Sequence, residues 1–487
     1  MNSTNRATPR LRCKVLHNRR RYLQAALALL TGGLLVAAMQ AGSTLPNPLN
    51  SADSTGTLST YNTGGGVDLS NTFFQNLGTN GRTCGTCHVA QDGWTVAPPD
   101  IQARFNASNG LDPIFRPVDG ANCPSADVSS VRARRRAYSL LLNKGLIRIS
   151  ISVPVGAEFS IEDIQDPYDC PQTTEEQPAM FRRPLPATNL GFLSTVMWDG
   201  RETVFGAKPG KSINLNQSLT NQAFDATMGH AQASTKPTPQ QLAAIVAFET
   251  ANFTAQSSDN SAGSLTAKGA DGGPQNLLAQ PFYIGINDSL GGDPTGAAFN
   301  PLVFTIYNAW SNLNGANATA ARQSVVRGQA LFNTYPIAIR GVGGLNDALG
   351  EDTIQGTCTT CHDSPNVGHH SFSVPLNIGT TAYPAVPALN ISGLPVYTIE
   401  CNVANNDDED NREIHTTDPG RAMITGKCAD IGKVKGPVLR ALAGRAPYFH
   451  NGSAATLSAV VEFYNERFNL NLTDQQKADL VAFLQTL

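Results

Sequence analysis

Two copies of one short motif constrain this chain more than any other feature. The pattern Cys-x-x-Cys-His occurs at residues 84–88 and again at residues 358–362. With 9 Cys and 8 His among 487 residues, chance produces only about 0.003 copies of this spacing. A thioredoxin-like redox pair or half of a zinc site does not require the His in both copies. The pattern is that of c-type haem attachment, in which two thiols bind the porphyrin and the adjacent imidazole ligates iron. The predicted attachment residues are Cys84, Cys87, Cys358 and Cys361, and the predicted iron ligands are His88 and His362.

An internal repeat predicts the architecture around these motifs. Thr238 and Gln241 open one apolar stretch, and Thr473 and Gln476 open a similar one near the C-terminus. A Thr followed by Gln three residues later is a capping box that begins a helix, and each predicted helix follows one haem motif. We therefore expect a mainly α protein with two cytochrome c-like helical domains, each with one covalent haem c, plus long irregular loops. The apolar stripe of the last helix consists of Leu480, Phe483, Leu484 and Leu487.

Composition suggests where these domains begin and end. Residues 1–43 are interpreted as a signal peptide or N-terminal anchor, and residues 44–75, rich in Ser, Thr, Asn and Gly, as a flexible lead-in. The N-terminal haem c domain is expected at 76–255. A Gly/Ser/Asp/Asn-rich linker or excursion is expected at 256–318, and the C-terminal haem c domain at 319–487.

The N-terminus has the features of a targeting segment. Several Arg and Lys residues precede an apolar run from Tyr22 to Met39, which is typical of a secretory signal, and cleavage is expected after Ala38 or Ala41. The alternative is an uncleaved anchor, since the run is near the lower limit for spanning a bilayer. Either interpretation predicts that the mature protein lies outside the cytoplasm, with membrane contact only if the segment is uncleaved.

The remaining cysteines agree with an oxidising compartment. Four are left after haem attachment and removal of the signal, namely Cys123, Cys170, Cys401 and Cys428. Pairing 123 with 170 and 401 with 428 is the simplest of three connectivities. The alternative is four reduced, buried thiols.

The charge balance argues against a nucleic-acid partner. The chain has 35 Lys and Arg against 38 Asp and Glu, for a net charge of -3, and only 15% of residues are charged. Such a chain has no global attraction to nucleic acid. Its 44 Gly and 30 Pro indicate a loop-rich protein.

Further stretches resemble the bacterial di-haem cytochrome c peroxidase and MauG superfamily. They are Met-Trp-Asp-Gly-Arg at 197–201, Arg-Gly-Gln-Ala-Leu-Phe at 327–332, Gly-Pro-Val-Leu-Arg at 436–440 and Ala-Pro-Tyr-Phe-His-Asn-Gly-Ser at 446–453. The resemblance runs from about Gly78 to the C-terminus in the family's order and includes both haem motifs. It implies that the N-terminal haem reacts with peroxide and that the C-terminal haem relays electrons.

The sixth ligand of the second iron distinguishes branches of this family. Cytochrome c peroxidases place a Met fourteen residues after the His of the Pro-Tyr-Phe-His motif, and the same count from His450 reaches Tyr464. A Tyr there is similar to MauG, so the resemblance implies that His362 and Tyr464 ligate the second iron, with Met423 as the alternative. A phenolate ligand favours ferric over ferrous iron. Without the resemblance, Tyr464 would be interpreted as a half-buried core aromatic.

The first haem pocket also departs from the family's usual pattern. Many of these peroxidases carry a His that blocks the first iron until the partner haem is reduced, but none occurs between His88 and His230. The first haem is therefore expected to be open at rest. The family's pocket Gln is matched by Gln222, and the position of its proton-transferring Glu falls near His230, which can act in its place. The alternative for His230 is a surface residue or a partner of a haem propionate.

Trp198 resembles the tryptophan that lies between the two haems of this family and carries oxidising equivalents, whereas alone it would be interpreted as core packing. The calcium ion usual between those haems is in doubt. Its Asn ligand, fifteen residues before the Trp, is matched by Arg183.

Together these features predict a MauG-like periplasmic di-haem peroxidase that reduces hydrogen peroxide. Its electron donor would be a small periplasmic protein such as a cytochrome c or a cupredoxin, unless it oxidises a protein substrate. One alternative is a di-haem oxygenase that resembles rubber oxygenase. The other is a plain di-haem electron-transfer cytochrome with both irons saturated.

Overall fold

The computed structural model describes residues 44–207, 212–402 and 413–487. The predicted signal or anchor at 1–43 lies outside these ranges, as does the acidic run at 405–410. Within them, no helix combines the length and the apolar character needed to cross a bilayer.

The chain divides into two units by its internal contacts. Among the described residues, the smaller unit contains 44–45 and 68–70, and the larger contains those of 46–67 and 71–487. The contacts and sites discussed below belong to the larger unit.

Helices and strands both contribute to the described chain. It is 31% helical and 16% strand, so the expectation of a mainly α protein is corrected to a mixed fold in which helices predominate. The helices are α1 (Pro98–Ser108), α2 (Val131–Ala137), α3 (Ser139–Lys144), α4 (Leu215–Gly229), α5 (Pro239–Ala251), α6 (Gly273–Leu278), α7 (Ala320–Thr334), α8 (Asn346–Leu349), α9 (Ala422–Thr425), α10 (Leu457–Arg467) and α11 (Asp474–Gln485).

The strands form small antiparallel sheets. They are β1 (Thr44–Leu45), β2 (Leu49–Ala52), β3 (Gly56–Asn62), β4 (Val67–Asp68), β5 (Ile147–Ser150), β6 (Phe159–Gln165), β7 (Ala179–Arg182), β8 (Asn252–Asp259), β9 (Gly263–Ser264), β10 (Ile337–Ile339), β11 (Ile354–Gly356), β12 (Val396–Cys401) and β13 (Glu413–Thr416). Four of the sheets have the orders β2-β3-β8-β9, β13-β12-β6, β5-β7 and β10-β11. Some pairs join neighbouring strands, such as β2 and β3, and others join distant ones, such as β3 and β8.

The pairing of β3 with β8 shows why amino-acid composition does not predict these strands. Segments rich in Ser, Thr and Asn predict loops, yet Thr60 and Thr254 are buried and their hydroxyls lie 2.9 Å apart. Thr188 extends the same network, with its hydroxyl 2.8 Å from that of Thr254, and Ser59 donates to Ser257 at 2.7 Å. Because the buried hydroxyls satisfy one another, this sheet forms without the apolar alternation that sequence patterns detect.

The repeated closing helices are confirmed, with their caps. At α5 the Thr238 amide donates to the Gln241 side chain at 2.8 Å, and the Gln241 amide donates back to the Thr238 hydroxyl at 3.2 Å. Thr473 and Gln476 make the same reciprocal pair at the start of α11, at 2.9 and 3.3 Å. The predicted apolar stripe is buried; Leu480, Phe483 and Leu484 lie on α11, and Leu487 follows its end.

Helices α7 and α11 pack against each other in the C-terminal half. A Cβ atom at Gly328 would lie 2.0 Å from the Asp479 carbonyl oxygen, so only glycine permits this close approach. Beside it, the Arg327 guanidinium bonds to the Asp479 carboxylate through Nε at 2.7 Å and Nη2 at 2.8 Å. This contact holds the closing helix against the helix that precedes the second haem motif.

Residues 256–318, predicted as a linker, supply part of the same core. Phe304, Tyr307 and Trp310 are completely buried. The Phe304 ring lies 5.2 Å from that of Phe332 and 5.3 Å from that of Phe483. This segment therefore packs with α7 and α11, and the division of the chain into two haem domains stays a prediction.

Both predicted disulfides are confirmed. Cys123 bonds to Cys170, with Cα atoms 5.4 Å apart, and Cys401 bonds to Cys428, with Cα atoms 5.9 Å apart. The links close loops spanning 47 and 27 positions. Each such crosslink is expected to contribute about 2–4 kcal/mol by restricting the unfolded chain.

Candidate haem sites

The first Cys-x-x-Cys-His motif presents its side chains from a short 3₁₀ turn. The turn spans Cys84–Thr86, and both Cys84 and Cys87 are free thiols. Nδ1 of His88 lies 2.9 Å from the Trp94 carbonyl oxygen. Because a carbonyl only accepts, Nδ1 must carry the proton, and the Nε2 lone pair remains available as an iron ligand.

The second motif is built in the same way. Its turn spans Cys358–Thr360, and Nδ1 of His362 lies 2.8 Å from the Gly368 carbonyl oxygen. Burial lowers the pKa of His362 to about 4 and also lowers the pKa of His88. Both imidazoles are therefore neutral at physiological pH, which is the form that binds iron.

Each motif opens into its own cavity. Cys84, Cys87 and His88 line the first cavity, and its remaining lining includes apolar side chains such as Leu193 and Leu219. The second cavity is also lined largely by apolar side chains. Two free thiols and a neutral imidazole at the wall of an apolar cavity fit a covalently attached haem. The motif residues that line the second cavity are Cys358, Cys361 and His362.

Gln222 and His230 both line the first cavity, together with His88. His230 has its Nδ1 atom 2.5 Å from the Asp119 carboxylate, which also pairs with Arg82 at 2.5 Å. Burial alone would raise the pKa of Asp119, but the hydrogen bond with His230 and the charge of Arg82 lower it. The structure thus brings the two predicted pocket residues to the first haem motif, while their roles stay predictions.

Trp198 lines both cavities. Its indole N–H donates to the Arg183 carbonyl oxygen at 2.8 Å, and its own carbonyl accepts from the Lys435 amide at 2.8 Å. The Trp198 ring also contacts that of His450, with centroids 6.1 Å apart. The tryptophan is therefore held by backbone contacts in the wall that the cavities share.

The two candidate ligands of the second iron lie in different places. Tyr464 projects from α10 and lines the second cavity, where its ring stacks on Phe468 at 6.3 Å. Met423 is buried in another cluster, with Met180 and Tyr397. The structure therefore brings Tyr464 to the cavity of His362, and its ligation of iron stays a prediction.

Glu249 is a buried acid of the first cavity that the motif analysis does not predict. It lies on α5, is 5% exposed, and its Oε2 atom has no hydrogen-bond partner among the described residues. Burial raises its pKa to about 8. A comparison of the two copies of the repeat could have identified Glu249, because the equivalent position in the second copy is occupied by the apolar Leu484.

Replacing Glu249 with Gln is expected to change how stability depends on pH. The folded-state pKa of about 8 lies above the ordinary value of 4.5, so between these values the folded chain holds a proton that the unfolded chain has lost. Stability therefore falls as pH rises through that window, by up to about 1.4 kcal/mol per pH unit, and the Glu249→Gln variant should lack this fall.

The test compares urea midpoints of the holoprotein between pH 5 and 7.5. The exposed Glu175→Gln variant serves as the control and should keep the slope of the unmodified protein. Equal slopes in the Glu249→Gln variant and the unmodified protein would contradict the prediction.

Lys435 is a second buried titratable group at these cavities. It is 4% exposed, lines both of them, and donates from Nζ to the Thr195 carbonyl at 2.8 Å. Burial lowers its pKa to about 7, and among the described residues it has no carboxylate within ion-pair distance. A buried amine without an anionic partner fits a cofactor that carries carboxylates, as haem does, because a carboxylate beside it would stabilise its protonated form.

Comparison with curated proteins finds partial similarity to bacterial peroxidases. Cytochrome-c peroxidase IdrP1 of Denitromonas iodatirespirans is 33% identical over 144 residues, which cover 27% of this chain and 36% of the relative. Cytochrome-c peroxidase IdrP2 of the same organism is 35% identical over 150 residues, or 28% and 37% of the two chains. Cytochrome c551 peroxidase of Nitrosomonas europaea is 28% identical over 154 residues, or 30% and 36%. The chain thus spans about a third of the length of these relatives.

Comparisons with protein-family models and with solved structures do not extend this similarity. No protein-family model matches the chain. Among solved structures, a MauG-like protein associated with microbial copper homeostasis aligns with a TM-score of 0.29 at 19% identity, covering 63% of this chain and 73% of the other. Over part of its length, this chain is similar to bacterial proteins named cytochrome-c peroxidases.

Proposed function

We propose that this chain is a di-haem c-type peroxidase that reduces hydrogen peroxide in the His88 cavity. The observation that carries the proposal is the position of Trp198, which lines both the His88 cavity and the His362 cavity. Bound haem would supply a redox-active iron at each histidine. Trp198 then offers a route for electrons from the His362 site to the His88 site.

At the His88 cavity, Gln222 and His230 are the proposed peroxide-handling residues. His230 Nδ1 is engaged by Asp119 at 2.5 Å, which orients the ring and leaves Nε2 for proton transfer. We assign His230 the transfer of a proton from one peroxide oxygen to the other. The Gln222 amide, which both donates and accepts, would orient the peroxide.

At the His362 cavity, Tyr464 is the proposed second ligand, as in the MauG-like branch. Burial raises the pKa of this tyrosine, so its phenolate requires a positive partner, and ferric iron would supply one. An anionic oxygen ligand stabilises Fe(III) over Fe(II). The site would therefore store or deliver an oxidising equivalent.

Hydrogen peroxide and a redox partner complete the proposal. The names of the relatives support peroxide as the substrate and a small cytochrome c as one candidate donor, with a cupredoxin or a protein substrate as the others. The two disulfides support an oxidising compartment, which we propose is the periplasm.

The oxidised holoprotein is expected to react with hydrogen peroxide without prior reduction. The reason is that no histidine between His88 and His230 is available to block the first iron. Stopped-flow spectra of the fully oxidised protein, with and without one-electron reduction, provide the measurement. The Gln222→Ala variant should slow the reaction, and Gln217→Ala, an exposed glutamine on the same helix, should not.

Three results would contradict this proposal. A spectral change that appears only after one-electron reduction would show that the first iron is blocked at rest. Turnover with dioxygen but not with peroxide would favour the oxygenase. A resting-state EPR spectrum without a high-spin ferric signal would favour the plain electron carrier.

A further inference from the structure

Arg183 is a buried cation held by main-chain oxygens alone. Its side chain is 5% exposed. Nη1 donates to the Lys144 carbonyl at 2.9 Å, and Nη2 donates to the carbonyls of Val96 at 3.0 Å and Arg445 at 3.2 Å. Among the described residues, no carboxylate lies within ion-pair distance of it. The guanidinium therefore joins three segments that are far apart in the sequence.

The same residue is tied to Trp198 through its backbone. The Arg183 carbonyl accepts from the Trp198 indole at 2.8 Å, and the Arg183 amide donates to the His450 carbonyl at 2.7 Å. Gly145 leaves room for the guanidinium, since a Cβ there would lie 2.6 Å from Nη1. The site is thus built around the arginine and lies in the wall that contains Trp198.

Converging carbonyl oxygens are also what a hard cation such as Ca²⁺ binds. Here the oxygens already accept from the guanidinium, whose pKa burial lowers to about 10, so it stays charged at neutral pH. In addition, no cluster of three or more His, Cys, Asp or Glu in the described ranges is arranged to hold a metal ion. The calcium ion that the resemblance to di-haem peroxidases implies does not fit these residues.

We infer that Arg183 is a built-in cation that takes the place of a bound metal ion in the wall around Trp198. It supplies the positive charge and holds the three carbonyl oxygens together. The wall is therefore organised without calcium, and Arg183 acts as a positioning residue for Trp198. The inference does not depend on peroxide activity, and its tests use binding and stability.

The first test removes divalent cations from the holoprotein. The purified protein should contain no stoichiometric calcium by elemental analysis. A chelator should leave its melting temperature and the reduction potentials of both haems unchanged. One calcium per chain, with a melting temperature that falls on chelation, would overturn the inference.

The second test exchanges the built-in cation for a bound one. Arg183→Asn removes the guanidinium and adds one amide oxygen to the three carbonyls, so the variant should melt several degrees lower in chelator. Added Ca²⁺ should restore much of the loss, with a Kd of about 10⁻⁴–10⁻³ M, the range of weak protein sites. The unmodified protein should show no such binding, and neither should the exposed Arg132→Asn control.

Arg183→Leu separates charge replacement from simple packing. Leucine fills part of the space but supplies no ligand oxygen, so Ca²⁺ should not restore its melting temperature. If Ca²⁺ stabilises both variants equally, the ion acts elsewhere and the inference fails. It also fails if Arg183→Asn folds but Ca²⁺ neither binds to it nor stabilises it.

Discussion

The His88→Ala variant is expected to lose peroxide turnover by at least about 10³-fold, because it removes the proposed iron ligand at the peroxide site. Cys84 and Cys87 remain, so both haems should stay covalently attached through acid–acetone extraction. One low-spin haem, at His362, should persist in the spectrum. Steady-state peroxide assays and a pyridine haemochrome assay of haem content provide the measurements.

The control for this variant is His415→Ala. His415 is an exposed residue of β13, and its removal should leave turnover unchanged. Full activity in the His88→Ala variant would reverse the roles proposed for the two cavities, and His362 would then be the peroxide site.

The Tyr464→Met variant is expected to raise the reduction potential of the second haem by hundreds of millivolts, within the span of about 0.8 V that axial ligands cover. The reason is that a neutral thioether stabilises Fe(III) less than an anionic oxygen does. Tyr464→Phe should instead leave that coordination position open or occupied by water. Spectroelectrochemical titration of each haem provides the measurement.

Met423 supplies the matched control. Because its side chain is 2% exposed and packs with Met180 and Tyr397, Met423→Ala should destabilise the fold by about 2–5 kcal/mol. The spectrum of the second haem should not change. A ferric methionine–sulfur band in the near infrared that is lost in Met423→Ala and kept in Tyr464→Phe would show that the ligand assignment is wrong.

The sequence by itself determined the features that depend on neighbouring residues. Each haem motif places two thiols and an imidazole within five positions, so the predicted attachment chemistry needs no knowledge of the fold. The capping boxes of α5 and α11 are equally local, since Thr238 contacts Gln241 and Thr473 contacts Gln476. For the disulfides, the count of remaining cysteines left three possible connectivities, and the structure confirmed the simplest one.

Other features had only partial signals in the sequence. The sequence did not predict the sheet that contains β3 and β8. Its buried face carries hydroxyl groups such as those of Thr60 and Thr254, and segments rich in such residues have the composition expected of a loop. Glu249 differs from Leu484 in the repeat, but its raised pKa comes from burial, which the sequence does not report. Tyr464 was predicted as an iron ligand by counting from a sequence motif. Only the fold showed that Met423, the alternative ligand, lies in a different cluster.

Only the tertiary structure brought the parts of the inter-cavity wall together. Trp198 lines two cavities whose motifs lie on opposite sides of it in the sequence. The Arg183 guanidinium is bound by the carbonyls of Val96, Lys144 and Arg445. Every residue has a carbonyl oxygen, so no side-chain pattern marks the three that converge here. Their meeting point depends on the path of the backbone, and that path is decided by long-range packing.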